Sequence, residues 1–349
     1  MSGSAPNALV AVIRRLAAAE PLDPDQLTDA FNLVMAGEAT PTQIAALLVG
    51  LRVKGETPIE VAAVVRSLRR AMVVLPTDRP EELVDTCGTG GGAIPTFNIS
   101  TGAALLAAGA GVRVAKHGNR SFTSQCGSAD VLEALGVAIE APVSVMAAAL
   151  RDAGIVFMFA PLMHPAMRHV GPVRRELSVQ TVMNIVGPLA NPACAGRQVV
   201  GVADARRLPL IAGALRELGT QHALVVHGDG MDEVSPLGPT HVIEIRGERS
   251  TEWTIDPRQF GFAGGTAEEL AGGPPAENAA VVLRVLGGEG EQAATAAVVL
   301  NAAAALYVAG KASGFADGVE IAREALVAGS GLAALARLKA AFAARGGNT

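Results

Sequence analysis

The sequence predicts an α/β protein in two parts. A small all-helical unit covers residues 1–75 and regains a return segment at about 165–190. A larger α/β unit, residues 76–164 and 191–349, is built on a mostly parallel central sheet flanked by helices. Three observations predict this. The same helix-start signal recurs three times in the first sixty residues or so. Beyond Pro76, short β-prone runs alternate with Ala/Leu-rich helical runs, as helical crossovers between sheet strands require. Finally, half of the 349 residues are hydrophobic but only 3% are aromatic, so a large core must be assembled from Ala, Val, Leu and Ile.

Asp23-Pro-Asp-Gln26, Thr40-Pro-Thr-Gln43 and Thr57-Pro-Ile-Glu60 each place a capping residue, then Pro at the first helical position, then Gln or Glu at N3. This is a capping box with its φ already set. Leu27, Phe31, Val34 and Met35 follow helical spacing until Gly37. Ile44, Leu47, Leu48 and Leu51 repeat the pattern before Gly55, and Val61, Val64 and Leu68 do so again. These stripes read as core or dimer contacts and carry no chemistry.

Strands are expected at Glu82–Cys87, Val112–Ala115, Gly154–Phe159, Gln198–Ala203 and His222–His227. His241–Ile245 and Glu252–Ile255, joined through Arg246-Gly247, read as a late antiparallel excursion. Helices are expected at Ala129–Leu135, Val143–Ala153, Leu208–Leu218 and Ala279–Leu286, with loops at Gly264–Pro275 and Gly287–Gly290. Met163–Leu189 is polar and basic in its first half, which suits a return to the helical unit. Ala293–Ala309, mostly alanine and interrupted by Thr295 and Asn301, reads as a buried helix and not a membrane span.

Charge and cysteine usage narrow the function. A net charge of −5, from 33 acidic and 28 basic residues, together with few aromatics, is poorly suited to nucleic acid. Cys87, Cys126 and Cys194 have no metal-ligand spacing and read as reduced thiols. Met1-Ser-Gly-Ser-Ala-Pro lacks a signal-peptide pattern, so the expectation is a soluble cytoplasmic protein without membrane contact.

Chemistry concentrates in three places. The first is Gly88-Thr-Gly-Gly-Gly92, followed by Thr96-Phe-Asn-Ile-Ser-Thr101 and Lys116-His-Gly-Asn-Arg120. Glycines let backbone N–H groups approach an anion, and Ser100 or Thr101 opens an apolar helix whose positive end faces the same place. The following cationic loop suits phosphate or pyrophosphate. The glycines also match a degenerate dinucleotide fingerprint, but the helix starts too late and no ribose-binding acid follows at the required distance. The second place runs from His164 through Arg168, Arg174 and Arg175 to Asn184, Gly187 and Asn191. Its arginines are shaped to fork onto a carboxylate, although charge alone would favour a solvated basic face. Gly187-Pro188 and Asn191-Pro192 fix backbone shape. The third is Asp229-Gly-Met-Asp232-Glu233-Val-Ser235 after an apolar strand. Adjacent carboxylates beside an anion loop suit Mg²⁺, which takes one or two of them plus substrate phosphates.

These segments, with Gly127-Ser-Ala-Asp-Val-Leu-Glu-Ala-Leu-Gly136, closely resemble the anthranilate phosphoribosyltransferases of tryptophan biosynthesis. The motifs run in the same order over essentially the whole chain, helical start included. The resemblance implies a fold of the nucleoside-phosphorylase/phosphoribosyltransferase type, hinged between its parts and homodimeric through the helical one. It implies that Gly88, Gly90, Gly91, Thr96, Asn98, Ser100, Thr101, Lys116 and Ser128 bind phosphoribosyl pyrophosphate. Gly88, His117, Asn119, His164, Arg174 and Gly187 would bind anthranilate, and Ser100, Asp232 and Glu233 would hold Mg²⁺. Arg174 matches the family's carboxylate-binding arginine. Two residues depart from the pattern: Gly92 replaces an Asp, and Gln125 replaces a basic residue. The competing readings are a pyrimidine-nucleoside phosphorylase, which shares a related Lys-x-Gly-x-Arg-Ser loop, and a non-catalytic nucleic-acid-binding relative. The Asn119 form of that loop, the Asp232-Glu233 pair, the His164–Arg174 segment and the net acidity favour the anthranilate enzyme.

Overall fold

A computed structural model describes residues 8–121, 125–228 and 230–343. The sequence reading of Met1–Pro6 and of Asp229 lies outside these residues. The chain opens with helices α1 (Ala8–Ala17), α2 (Pro24–Ala36), α3 (Pro41–Lys54) and α4 (Pro58–Ala71). Reciprocal capping boxes are present at Thr40 with Gln43 and at Thr57 with Glu60. Asp23 caps α2 by accepting from the N–H groups of both Asp25 and Gln26, and Gly37 closes that helix in the left-handed region.

The sheet contains β1 (Val84–Gly88), β2 (Val114–Gly118), β3 (Ile155–Phe159), β4 (Arg197–Gly201), β5 (His222–Gly228), β6 (Thr240–Arg246) and β7 (Arg249–Ile255). Their spatial order is β3-β2-β1-β4-β5-β6-β7. The first five strands run parallel, and β6 and β7 form the antiparallel excursion. The connecting helices are α5 (Ile99–Gly109), α6 (Ser128–Ala134), α7 (Val143–Ala153), α8 (Ala160–Met163), α9 (Gly171–Leu177) and α10 (Leu208–Glu217). Helices α11 (Pro275–Leu286), α12 (Gln292–Val308), α13 (Phe315–Val327) and α14 (Ser330–Ala343) complete the larger domain. Helix α12 is the buried alanine-rich helix expected from sequence.

Strand alternation divides the apolar residues between the two faces of the sheet. Val199, Leu224, Val226 and Val242 pack with α5, α11 and α12. Their neighbours Val200, Ala223, Val225 and Ile243 pack instead with α10 and the N-terminal helices. Ala166, Val170, Val173, Val182, Ile185 and Leu189 join this second cluster, so the return segment packs with the helical part. Arg69 reinforces that contact, donating from Nη2 to the Leu189 carbonyl at 2.8 Å.

Several boundaries differ from the sequence reading. Lys116 and His117 lie on β2 and not in the loop expected after a strand at Val112–Ala115. Helix α5 begins at Ile99, with Asn98 in the N-cap position, so Ser100 and Thr101 lie within its first turn. The Asn98 side chain gives no cap bond, because it is committed to Cys126 and Asn278. The loop expected over Gly264–Pro275 contains the helical turn Glu268–Leu270, and Pro275 already belongs to α11.

Candidate active site

The site forms beyond the carboxyl ends of β1, β2, β4 and β5, the edge at which open α/β sheets gather ligands. Lys116 and His117 are adjacent on β2, and alternation sends their side chains to opposite faces. Lys116 turns toward α5. It is 3% exposed, and its Nζ donates to the Thr86 carbonyl and, at 3.2 Å, to Ser100 Oγ. Burial pulls its pKa down, while the carboxylate of Asp85 opposes that shift.

His117 faces the return segment. Its ring lies 4.9 Å from that of His164, and both imidazoles are buried. Burial lowers His117 to about 3 and His164 to about 4, so both are neutral at pH 7. His117 Nε2 and both ring nitrogens of His164 lack a hydrogen-bond partner. The backbone near Ala190 biases His164 only weakly toward the charged form. Over Gly187 the structure leaves open space. Arg174, in the last turn of α9, is half-buried and its pKa is lowered by burial alone, with no carboxylate opposing the shift. Arg168 and Arg175 are exposed. A partly desolvated guanidinium without a carboxylate partner suits a small ligand bearing a carboxylate.

On the other face, Gly90 and Gly91 both have left-handed φ, +71° and +80°, with nothing packed over them. Two carboxylates reach this turn from the loop after β5. Gly90 N–H donates to Asp232 Oδ2 at 2.7 Å, and Ser100 N–H donates to Glu233 Oε1 at 3.2 Å. Burial and the neighbouring Asp232 push the Glu233 pKa up. That pair of carboxylates, both partly exposed, is the donor set expected for a divalent cation shared with substrate phosphates. The described residues contain no larger cluster of His, Cys, Asp and Glu that would hold a metal unaided. Thr101 Oγ1 is buried here without a partner.

The remaining expected residues play more local parts. Ser128 opens α6, and its hydroxyl donates to the Asn119 carbonyl at 3.3 Å. Asn119 Oδ1 accepts the Arg120 N–H. Thr96 forms an isolated bridge with Ala271. A Cβ built on Gly92 would lie 2.9 Å from the Gly230 carbonyl, which explains glycine at that position of this chain. Gln125 is exposed.

Sequence reasoning missed the polar pair beneath the site. Asp85 is fully buried on β1, where Oδ1 accepts from His117 N–H at 3.1 Å and Oδ2 from Asn191 Nδ2 at 2.7 Å. Asn191 also donates to the Ala115 carbonyl and accepts from the N–H groups of Ala193 and Ala195. Burial lifts Asp85 to about 6, opposed chiefly by Lys116. The available signal was an aspartate inside the apolar run that opens β1.

Comparison with known proteins agrees with this geometry. Residues 10–72 match the model of the glycosyl transferase family helical bundle domain, and residues 80–332 match its a/b domain. An anthranilate phosphoribosyltransferase of Roseiflexus sp. (strain RS-1) is 50% identical over 91% of this chain and 93% of its own length. The crystal structure of the enzyme from Thermus thermophilus superposes with a TM-score of 0.90 at 43% identity, covering 95% of this chain and 99% of that one. The Saccharomyces cerevisiae enzyme, solved in complex with PRPP and Mg, gives 0.88 at 25% identity and covers 97% and 99%. With its helical-bundle and a/b domains both present and its strand-end site in place, the chain belongs to the anthranilate phosphoribosyltransferase family.

Proposed function

We propose that this protein transfers the phosphoribosyl group of phosphoribosyl pyrophosphate to the amine of anthranilate, in the tryptophan biosynthetic pathway. The products are pyrophosphate and N-(5-phosphoribosyl)anthranilate. The observation that carries the reading is the opposite facing of Lys116 and His117. One strand end serves an anion site on one face of the sheet and a carboxylate-binding site on the other.

The proposed phosphoribosyl pyrophosphate residues are Gly88, Gly90, Gly91, Thr96, Ser100, Thr101, Lys116 and Ser128, with Asn98 holding the start of α5 in place. Anthranilate would lie between His117, His164, Asn119 and the open space at Gly187, with Arg174 on its carboxylate. Ser100, Asp232 and Glu233 would hold Mg²⁺, which when bound neutralises charge on the departing pyrophosphate.

The neutral aromatic amine attacks ribose C1. An N–C1 bond forms, the C1–O bond to pyrophosphate breaks, and a proton later leaves the nitrogen. Lys116 and the N–H groups of the glycine turn stabilise negative charge as it grows on the leaving group. The low pKa of His117 makes it a weak base, which supports a mechanism without an obligatory general base. Both histidines instead orient the acceptor, and alignment of two substrates supplies much of the rate.

We further assign residues 1–75 with about 165–190 to the helical domain and the remainder to the catalytic domain. Association as a homodimer through the helical domain is supported by Val49 and Val53, exposed one turn apart on α3, and by Ile59 at the start of α4. No single described helix is long and apolar enough to cross a membrane. We propose a cytoplasmic location. The decisive comparison with the phosphorylase reading is chromatographic. Product should appear from anthranilate and phosphoribosyl pyrophosphate, and none from uridine or thymidine with phosphate. Phosphorolysis without anthranilate consumption would reverse the assignment.

A further inference from the structure

Two backbone donors at the anion site are already taken by the protein's own carboxylates. Gly90 N–H, at the exposed glycine turn, is held by Asp232, and Ser100 N–H, in the first turn of α5, is held by Glu233. The backbone bearing these acids has little room to move. Cβ atoms built on Gly201 and Gly228 would meet the Asp232 carbonyl at 1.6 Å and the Glu233 carbonyl at 2.7 Å. Ala93 N–H donates to the Gly230 carbonyl at 2.8 Å. Beyond the pair, buried Asn301 accepts from Val234 N–H and donates to the Val234 carbonyl, each at 2.9 Å. A clamped backbone leaves side-chain rotation as the available movement.

We propose that Asp232 and Glu233 form an intramolecular latch that selects the metal-bound form of the diphosphate substrate. Without metal, the two acids occupy Gly90 and Ser100 N–H, and the Asp232 carboxylate repels an arriving pyrophosphate group. A divalent cation carried by the diphosphate gives them another partner, so they rotate off the N–H donors, which then bind the anion's oxygens. This rests on the functional reading above, because it presumes that the glycine turn receives a diphosphate. The latch adds discrimination: the acids that favour the metal complex also exclude the free anion.

The test uses inorganic pyrophosphate as probe, by calorimetry, with EDTA or with Mg²⁺. In EDTA, Asp232→Ala and Glu233→Ala should bind pyrophosphate on the order of tenfold more tightly than wild type, and with Mg²⁺ more weakly. Asp232→Asn separates hydrogen bonding from charge. Its amide oxygen still accepts from Gly90 N–H, so its gain in EDTA should be clearly smaller than that of Asp232→Ala. Equal gains would mean charge alone operates and would overturn the latch. Amide exchange provides a second readout that needs no variant to fold. In metal-free, ligand-free wild type, Gly90 and Ser100 N–H should be protected, and Mg²⁺ with pyrophosphate should change both. Rapid exchange at Gly90 would also overturn the proposal. Anthranilate consumption by the same wild-type protein separates the two readings: inactivity with Gly90 protected would refute the reaction and leave the latch standing.

Discussion

At the scale of the residue, the buried histidine pair and Arg174 carry the most testable chemistry. Arg174 is partly desolvated without a carboxylate partner, so it is prepared to receive one. Arg174→Ala should raise the KM for anthranilate, losing roughly 1.5–3 kcal/mol of binding, while the KM for phosphoribosyl pyrophosphate stays near wild type. Steady-state kinetics with each substrate varied checks this, and an unchanged anthranilate KM would move the role to Arg168 or Arg175. The histidines make a prediction about stability. Their folded pKa values, about 3 and about 4, lie below the ordinary value near 6.5. As pH falls below 6.5 the unfolded chain takes up protons that the folded chain refuses, so the histidines cost stability progressively down to about pH 4 for His164 and about pH 3 for His117. Denaturant titrations of wild type and His117→Gln/His164→Gln should therefore diverge across that window, with the wild type falling more steeply. Parallel curves would mean that the rings gain partners or solvent. The sequence displayed nearly all of these side chains, because glycines, arginines and an Asp-Glu pair announce themselves in an Ala-rich chain. It did not display Asp85 and Asn191 as a pair, since their partnership joins residues 106 apart.

At the scale of the element, Glu244 on β6 ties the antiparallel edge to α12. Its Oε1 accepts from His222 Nε2, Arg246 Nε and Tyr307 Oη, and Oε2 accepts from Trp253 Nε1. Burial works to raise its pKa, but the bonds from His222, Tyr307 and Arg246 prevail and hold it at about 2. A carboxylate depressed in this way contributes stability above its unfolded pKa and loses it as pH falls toward 2. Glu244→Ala would leave several donors without an acceptor. It should destabilise the fold by on the order of 3 kcal/mol, with Glu244→Gln intermediate, as thermal unfolding at pH 7 would show. A loss under about 0.5 kcal/mol would mean that water replaces the carboxylate. Elements with strong local signals were legible: the three Pro-initiated helices, the short strands and the antiparallel excursion. Helices α1, α13 and α14 were not among the elements expected from sequence. The start of α5 was displaced because Asn98, spent on Cys126 and Asn278, does not signal as a cap.

At the scale of the whole molecule, the proposed function makes the sheet a partition with one substrate half-site on each face, joined at the glycine-ended strands β1 and β2. The return segment packs with the N-terminal helices, and Val53 of α3 is 82% exposed. We expect sedimentation to give twice the chain mass for wild type and a single chain mass for Val53→Asp. A monomeric wild type would remove the dimer reading. The order of motifs along the chain suggested both of the proposed half-sites, whereas the facing of Lys116 against His117 needed β2 to be placed in register. The central claim is that both half-sites serve one reaction, and the fall of anthranilate fluorescence tests it most directly. With purified protein, anthranilate should be consumed when phosphoribosyl pyrophosphate and Mg²⁺ are both present. Omission of either, or chelation by EDTA, should abolish the loss. Fluorescence that stays constant in the complete mixture would contradict the account, as would a decline that needs no phosphoribosyl pyrophosphate.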